Sequence, residues 1–382
     1  MGNNTVTGNI ELHTQTSDWQ THGHHLDTHY NRVVLHVVYR NNRRLFTTRQ
    51  DGVQIPVLSL YKVGFPSEDI SVSKQITTRP CHTAISSTQE QVITNFLETA
   101  GDDRFTLKSD RFAAQLSCTD ARQVLYQGIM EGLGYSKNQA AFRDLAGTLP
   151  LAVLQPDAAS AITDSEYFLR TYCRLLKAAG IRSINLEPES REQEREAGSP
   201  IPHSFDWQSF RIRPGNSPEV RLVAMACLLV RYRNYGLLET LLHIVRDSPE
   251  GEGNHTLENF LIVSAKEQLV ALILPNTSGP LGKNRAVEII VNILLPFTHA
   301  FGRLYKDFDL SSKIISLYHR QEKTSGNSLE RHMIKQLGLS GKMISRACYQ
   351  QGLLHIYREF CIRGRCGNCR LSKLEIRNHI QA

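Results

Sequence analysis

The chain has 382 residues, 41% of them hydrophobic, which suits two domains of roughly 100 to 200 residues each with ordinary apolar cores. Its net charge of +7 is uneven, because residues 301–382 hold fifteen Lys or Arg against six Asp or Glu, so this end suits a polyanion such as nucleic acid or a solvated helix face. The longest apolar runs, "VAMACLLV" and "AVEIIVNILLPF", fall short of the roughly 18 to 20 uninterrupted residues of a membrane span, so no spanning helix and no membrane partner are expected.

In chain order, "MGNNTVTGNIEL" has neither the basic region nor the apolar stretch of a signal peptide, and a cytoplasmic location is expected. There the eight cysteines stay reduced, and clustering among them points to metal binding before disulfides. Residues alternate from Ile10 to Thr14 and again in "VVLHVVY" from Val33 to Tyr39, while "VQIPVLSLY" follows a turn-forming "DG"; these predict three strands of a small mixed sheet. The residues from Gln15 to Arg32 leave room for a short helix or an ordered loop between the first two.

From about Ser87 the period turns helical, opening on "STQEQVITNFLETA" with the residues of a capping box, and the rest of the chain reads as helices. The charged, apolar-poor "EPESREQEREAGSP" marks a linker or exposed loop. The expected fold class is α+β. A β-rich N-terminal domain over 1–86 precedes a helical region over 87–186, a linker over 187–204 and a helical C-terminal domain over 205–382.

Strand alternation puts Glu11 and His13 on one face of the first strand, with Cβ atoms about 7 Å apart, close enough to share one divalent ion or one reacting water. His36 joins them if the strands pair. Glu11, His13 and His36 are therefore the candidate catalytic residues, with Mg²⁺ or Mn²⁺ as the expected ion at Glu11 and His13. The alternative is a polar edge strand beside a loop, "HGHH", whose histidines only cap or solvate. Of these two stretches, the strand spacing is read as the more informative. The chain holds no His-Glu-x-x-His, nucleophile elbow, P-loop or dinucleotide fingerprint.

Near the end, "EFCIRGRCGNCRL" sets Cys361, Cys366 and Cys369 in a C-x4-C-x2-C pattern, whose tight turn lets sulfurs reach one metal while Arg363, Arg365 and Arg370 favour the thiolates. A closed site needs a fourth ligand. In one continuous helix Cys348 lies roughly 20 Å from Cys361, so Cys81 is preferred, with His82 in reserve. Four thiolates suit zinc or an iron-sulfur cluster equally. Arg211 and Arg213 in "FRIRPGNSPEVRL", together with Arg363, Arg365, Arg370 and Lys373, form the proposed nucleic-acid-contacting surface.

The blocks "GNIELHTQTSDWQTHGH", "YNRVVLHVVY", "LGYSKNQAAFRDLAGTLPL", "FRIRPGNSPEVRL", "GKNRAVEIIVNILLPF" and "QQGLLHIYREFC" together resemble the bacterial domain of unknown function 2851. This resemblance supports a bacterial α+β protein and brings no established activity. It also implies a further segment, with a Gly-Pro-Asp-Phe-like stretch, ahead of the first block, and often a basic residue at the position of Gln15. Glu-x-His on the first strand partly resembles the PD-(D/E)XK nuclease core, in which an Asp on one strand and Glu-x-Lys on the next hold Mg²⁺. On that likeness the other half of the site is expected to lie before Met1. The leading expectation is metal-dependent cleavage or binding of nucleic acid; the alternative is a non-catalytic scaffold or nucleic-acid-binding protein with a structural cysteine-ligated metal.

Overall fold

The computed structural model describes residues 6–40, 45–60, 81, 89–181, 205–208, 214–249, 252–274 and 279–373. Contacts divide the chain into two units, Met1–Thr77 and Thr78–Ala382.

In the first unit β1 (Asn9–Gln15), β2 (Val33–Arg40), β3 (Phe46–Thr48) and β4 (Gln54–Ser59) form one sheet in the order β1-β2-β4-β3. Both β1 and β4 run parallel to β2, and β3 is antiparallel to β4, so the sheet is mixed as expected, with one short strand more than the alternation revealed. Parallel neighbours cannot be joined by a tight turn. Here the crossover from β1 to β2 contains α1 (Asp18–Thr21) and two 3₁₀ turns, His24–Leu26 and Thr28–Arg32. Asp18 pins its start: the carboxylate accepts from Gln15 N (2.9 Å) and from the Thr14 hydroxyl (2.8 Å), bonds that hold it below the usual carboxylate range. Trp19, Tyr30, Val33, Val37, Val38 and Ile55 fill the small core, and the Trp19 indole donates to Thr48 O.

β1 inverts the usual amphipathy. Its apolar residues Ile10 and Leu12 are 57% and 68% exposed, whereas Glu11 and His13 are half-buried. Apolar burial therefore does not explain which face of this strand turns inward.

The second unit is helical. It comprises α2 (Glu90–Leu116), α3 (Ala121–Leu133), α4 (Tyr135–Thr148), α5 (Leu151–Ser160), α6 (Asp164–Ala179), α7 (Pro218–Arg231), α8 (Leu237–Asp247), α9 (Gly253–Leu261), α10 (Gln268–Ile273), α11 (Lys283–Ile289), α12 (Leu295–Leu304), α13 (Phe308–Arg320), α14 (Ser328–Leu337) and α15 (Ala347–Ile356). Several begin on side-chain caps: Asp120 accepts from Arg122 N and Gln123 N, Ser217 from Val220 N, and Asn327 from Glu330 N. Residues Val220–Val230 of α7 are buried all round, the mark of a central helix. α2 and α15 cross so closely that a Cβ at Gly101 would stand 2.3 Å from Cys348 O, and one at Gly352 2.1 Å from Leu97 O. Only glycine fits at either crossing.

Helices on both sides of 187–204 share one core, in which Phe168 and Tyr172 of α6 join Leu222 and Met225 of α7. Contacts thus group the helices before and after 187–204 in one unit; 187–204 itself, and the residues around the expected boundary at 86, lie outside the described residues. The run Lys283–Leu304 joins α11, a π-helical turn (Ile290–Leu294) and α12, and is long and apolar enough to cross a membrane. Its most apolar window is 67% buried within the protein, as in a core helix. A smaller second core gathers Leu97, Met333, Leu337, Ile356 and Leu371 around Cys81 and Cys369.

Candidate metal centres

The imidazoles in the first unit converge on His13. Its Nε2 lies 3.2 Å from His22 Nδ1 and 3.3 Å from His24 Nε2, and Glu11 Oε1 stands 3.7 Å from His13 Nε2 and 3.8 Å from His24 Nε2. The three imidazole ligand atoms all lie within 4.8 Å of one another. In a tetrahedron with metal–nitrogen bonds of about 2.0–2.1 Å, neighbouring ligands stand about 3.3 Å apart, so the spacing fits one small ion.

Local sequence explains the convergence. Gly23 takes the left-handed conformation (φ 73°), a region in which a Cβ is strained, and this turn brings His22 and His24 back toward β1. Tyr30 stacks on the His24 ring at 3.7 Å between centroids and Trp19 meets it edge-on, fixing its plane. Thus "HGHH", discounted in the sequence, supplies two members of the cluster, and its signal was a glycine between histidines.

His36 stands behind this cluster. Sheet register pairs it with Glu11, and it is fully buried, with Nε2 3.0 Å from His13 Nδ1 and Nδ1 2.9 Å from the Thr47 hydroxyl. Burial first, then the neighbouring imidazoles of His13 and His24, push it down to about 4. A neutral His36 that donates from Nδ1 to Thr47 accepts at Nε2 from His13 Nδ1–H, which leaves the His13 Nε2 lone pair facing His22 and His24. Both His36 nitrogens are engaged in this relay, so it positions His13 and does not itself face the cluster.

The cysteines of the second unit behave comparably. Cys81, Cys361, Cys366 and Cys369 line one small pocket with Gln336, Leu337, Ile356, Phe360 and Leu371. The Gln336 amide donates to Cys361 Sγ (3.7 Å), an outer contact of the kind that supports a thiolate ligand. Cys81, assigned by sequence to the β-rich domain, belongs to the helical unit and reaches the pocket from there. Cys348 is instead buried in the main core, where desolvation pushes its thiol up to about 12. His82 lies outside the described residues.

The flanking arginines do not acidify Cys361. Burial, followed by the neighbouring Cys369, Cys366 and Cys81, pushes its thiol up despite the Gln336 bond, because Arg363, Arg365 and Arg370 are exposed and Arg363 is paired with Glu359 at 2.7 Å. Arg211 and Arg213 lie outside the described residues, and Lys373 sits in the final 3₁₀ turn.

No curated protein and no solved structure matches the chain. A family pattern matches residues 1–327, which include the sheet with its histidine cluster and much of the helical unit. The chain belongs to the family described as protein of unknown function (DUF2851).

Proposed function

We propose that the sheet unit binds a divalent transition-metal ion on His13, His22 and His24 and uses it to hydrolyse phosphodiester bonds, with Glu11 as general base. The observation that carries this reading is the convergence of three imidazole nitrogens, two of them 3.2 and 3.3 Å from His13 Nε2, with Glu11 Oε1 slightly farther away at 3.7 and 3.8 Å. Three imidazoles suit Zn²⁺ better than Mg²⁺ or Mn²⁺, and three protein ligands keep a position open for water. A bound ion supplies water of lowered pKa and stabilises charge on the phosphate. Glu11 would then take the water proton, and His36 with Thr47 would hold His13 in its ligating tautomer. The phosphodiester substrate rests on the Glu-x-His strand pattern; in register, Arg40 stands opposite Gln15 at the end of the same strand pair.

The test combines metal analysis of the purified chain with cleavage of single- and double-stranded DNA and RNA in Zn²⁺, Mn²⁺ or Mg²⁺. Glu11→Gln is expected to keep the metal and lose about 10²-fold or more in rate. Cleavage that persists undiminished in Glu11→Gln removes the base, and a chain whose histidine cluster takes up no ion removes the reading altogether.

A second reading is favoured by the four cysteines around one pocket: a structural zinc or iron-sulfur centre that holds the C-terminal segment. Protein purified without oxygen should carry zinc, or iron with a visible absorption band, and lose it in Cys366→Ser. The exposed Arg363, Arg365 and Arg370 beside it are proposed to meet nucleic-acid phosphates, and binding that does not weaken as salt rises would exclude them.

A further inference from the structure

A cavity of about 570 Å³ lies in the helical unit, and neither the histidine cluster nor the four cysteines line it. Small-molecule sites span roughly 300–1,000 Å³, so its size is that of a ligand pocket. α2 turns Arg104, Lys108 and Arg111 toward it at spacings of three and four residues, and Arg285 and Arg358 also line it. Two carboxylates among the lining residues are already engaged, Glu131 by Arg111 (2.8 Å) and Glu288 by Arg285 (2.6 Å). Glu359, which attracts Arg104 from farther off, is held by Arg363 at 2.7 Å.

The remaining cations, Arg104, Lys108 and Arg358, have no carboxylate within ion-pair distance among the described residues. Neutral amides hold two of them. Lys108 Nζ donates to Asn292 Oδ1 and Gln351 Oε1, each at 2.6 Å, and Arg104 Nε donates to the same Gln351 oxygen at 2.8 Å. Although part of Lys108 reaches the surface, its ammonium is desolvated: burial first, then Arg104, Arg111 and Arg358, push it well below the ordinary lysine value. Crowded cations held only by amide dipoles are costly unless a counter-charge arrives.

The backbone around the cavity is also unusual. Asn292 is presented by the π-helical turn Ile290–Leu294, Arg358 by a second such turn at Tyr357–Cys361, and Tyr135 has a left-handed φ of 51°. π turns are rare and recur at functional sites, and a bulky residue at positive φ is strained.

We propose that this cavity binds a phosphorylated small molecule, with its phosphate received by Arg104, Lys108 and Arg358. A carboxylate brings a single charge and two oxygens to three cations. A phosphate monoester brings about −1.5 to −2 charges and three acceptor oxygens, the better match to two guanidinium groups and an ammonium. Gln139, Thr324 and Asn327 supply polar walls for the rest of the molecule.

Calorimetric titration of the full chain with inorganic pyrophosphate, and separately with acetate, tests this. Pyrophosphate should bind saturably and acetate should not, and Lys108→Met and Arg358→Gln should each weaken pyrophosphate about tenfold or more. Arg358 is exposed, so its variant leaves the core intact even if Lys108→Met melts early. Arg143→Ala, on an exposed residue of α4 outside the cavity, should bind as the parent chain does. Absence of saturable binding, unchanged affinity in Arg358→Gln, or acetate binding as tightly as pyrophosphate would each overturn the assignment. These variants leave the histidine cluster untouched, so this outcome is independent of the metal reading.

Discussion

The two units handle buried polar groups in opposite ways. In the sheet unit, imidazoles occupy the inside of β1 while Ile10 and Leu12 face out, and order there depends on a connected chain from His13 through His36 to Thr47. In the helical unit, apolar side chains fill the interior, glycines bring α2 and α15 into contact, and three cations without a carboxylate at ion-pair distance among the described residues line one cavity. In the small core the fully buried His36 has a partner at each ring nitrogen, whereas the larger core tolerates unfavourable charge locally because packing elsewhere carries the stability.

The strongest way to break this contrast is Gly352→Val. Its side chain would collide with the Leu97 carbonyl, and the helical unit should lose about 3 kcal/mol or more in urea denaturation, while the histidine resonances of the sheet unit remain in place. An unchanged urea midpoint would mean that the α2–α15 crossing is not as close as described.

Thr47→Val probes the other side of the comparison. It removes the acceptor of His36 Nδ1 while keeping the shape of the side chain, so zinc affinity should fall about 10–100-fold by competition with a chromophoric chelator. Equal affinity in parent and variant would show that the relay does not position His13.

The smallest expected effect concerns His319, where an imidazole in the helical unit does have carboxylate partners. Its Nε2 meets Asp102 at 2.9 Å and its Nδ1 meets Glu98 at 2.8 Å, and these contacts, Asp102 foremost, raise it above the usual 6.5. The charged pairings are therefore fully present below the unfolded value and are lost as pH rises through the raised folded value. Asp102→Asn should move the His319 titration, followed by NMR, back toward 6.5; a curve that stays put would assign the shift to other groups.

Much of the sheet unit was legible in residue alternation. Ile10–Thr14 and Val33–Tyr39 read as strands because side chains alternate with a period of two, and that period alone put Glu11 beside His13. β3 escaped because only three residues pair, with Thr47 alone buried among them. The sequence pointed to "HGHH" but could not show that Gly23 folds it back, since a left-handed glycine looks like any loop glycine until its neighbours are placed.

Among the cysteines, local spacing identified the late triplet, and helix rise excluded Cys348. Cys81 was chosen as the fourth member, and the pocket does contain it, although the arginines thought to acidify these thiols turn outward.

The capping box expected ahead of α2 is not formed, its N-cap being Gln89 with no side-chain bond; by itself the sequence determined the periodic features: an α+β chain, strands before helices and cysteines at metal-ligand spacing. Each depends on interactions within a few residues. Only the tertiary structure decided which distant groups meet, as when Arg104 and Lys108 reach Gln351 across 247 and 243 residues, or when His22 and His24 close on His13. Such contacts depend on how helices cross and strands register, and the cost of leaving a buried nitrogen or cation unpartnered is set only once that packing exists.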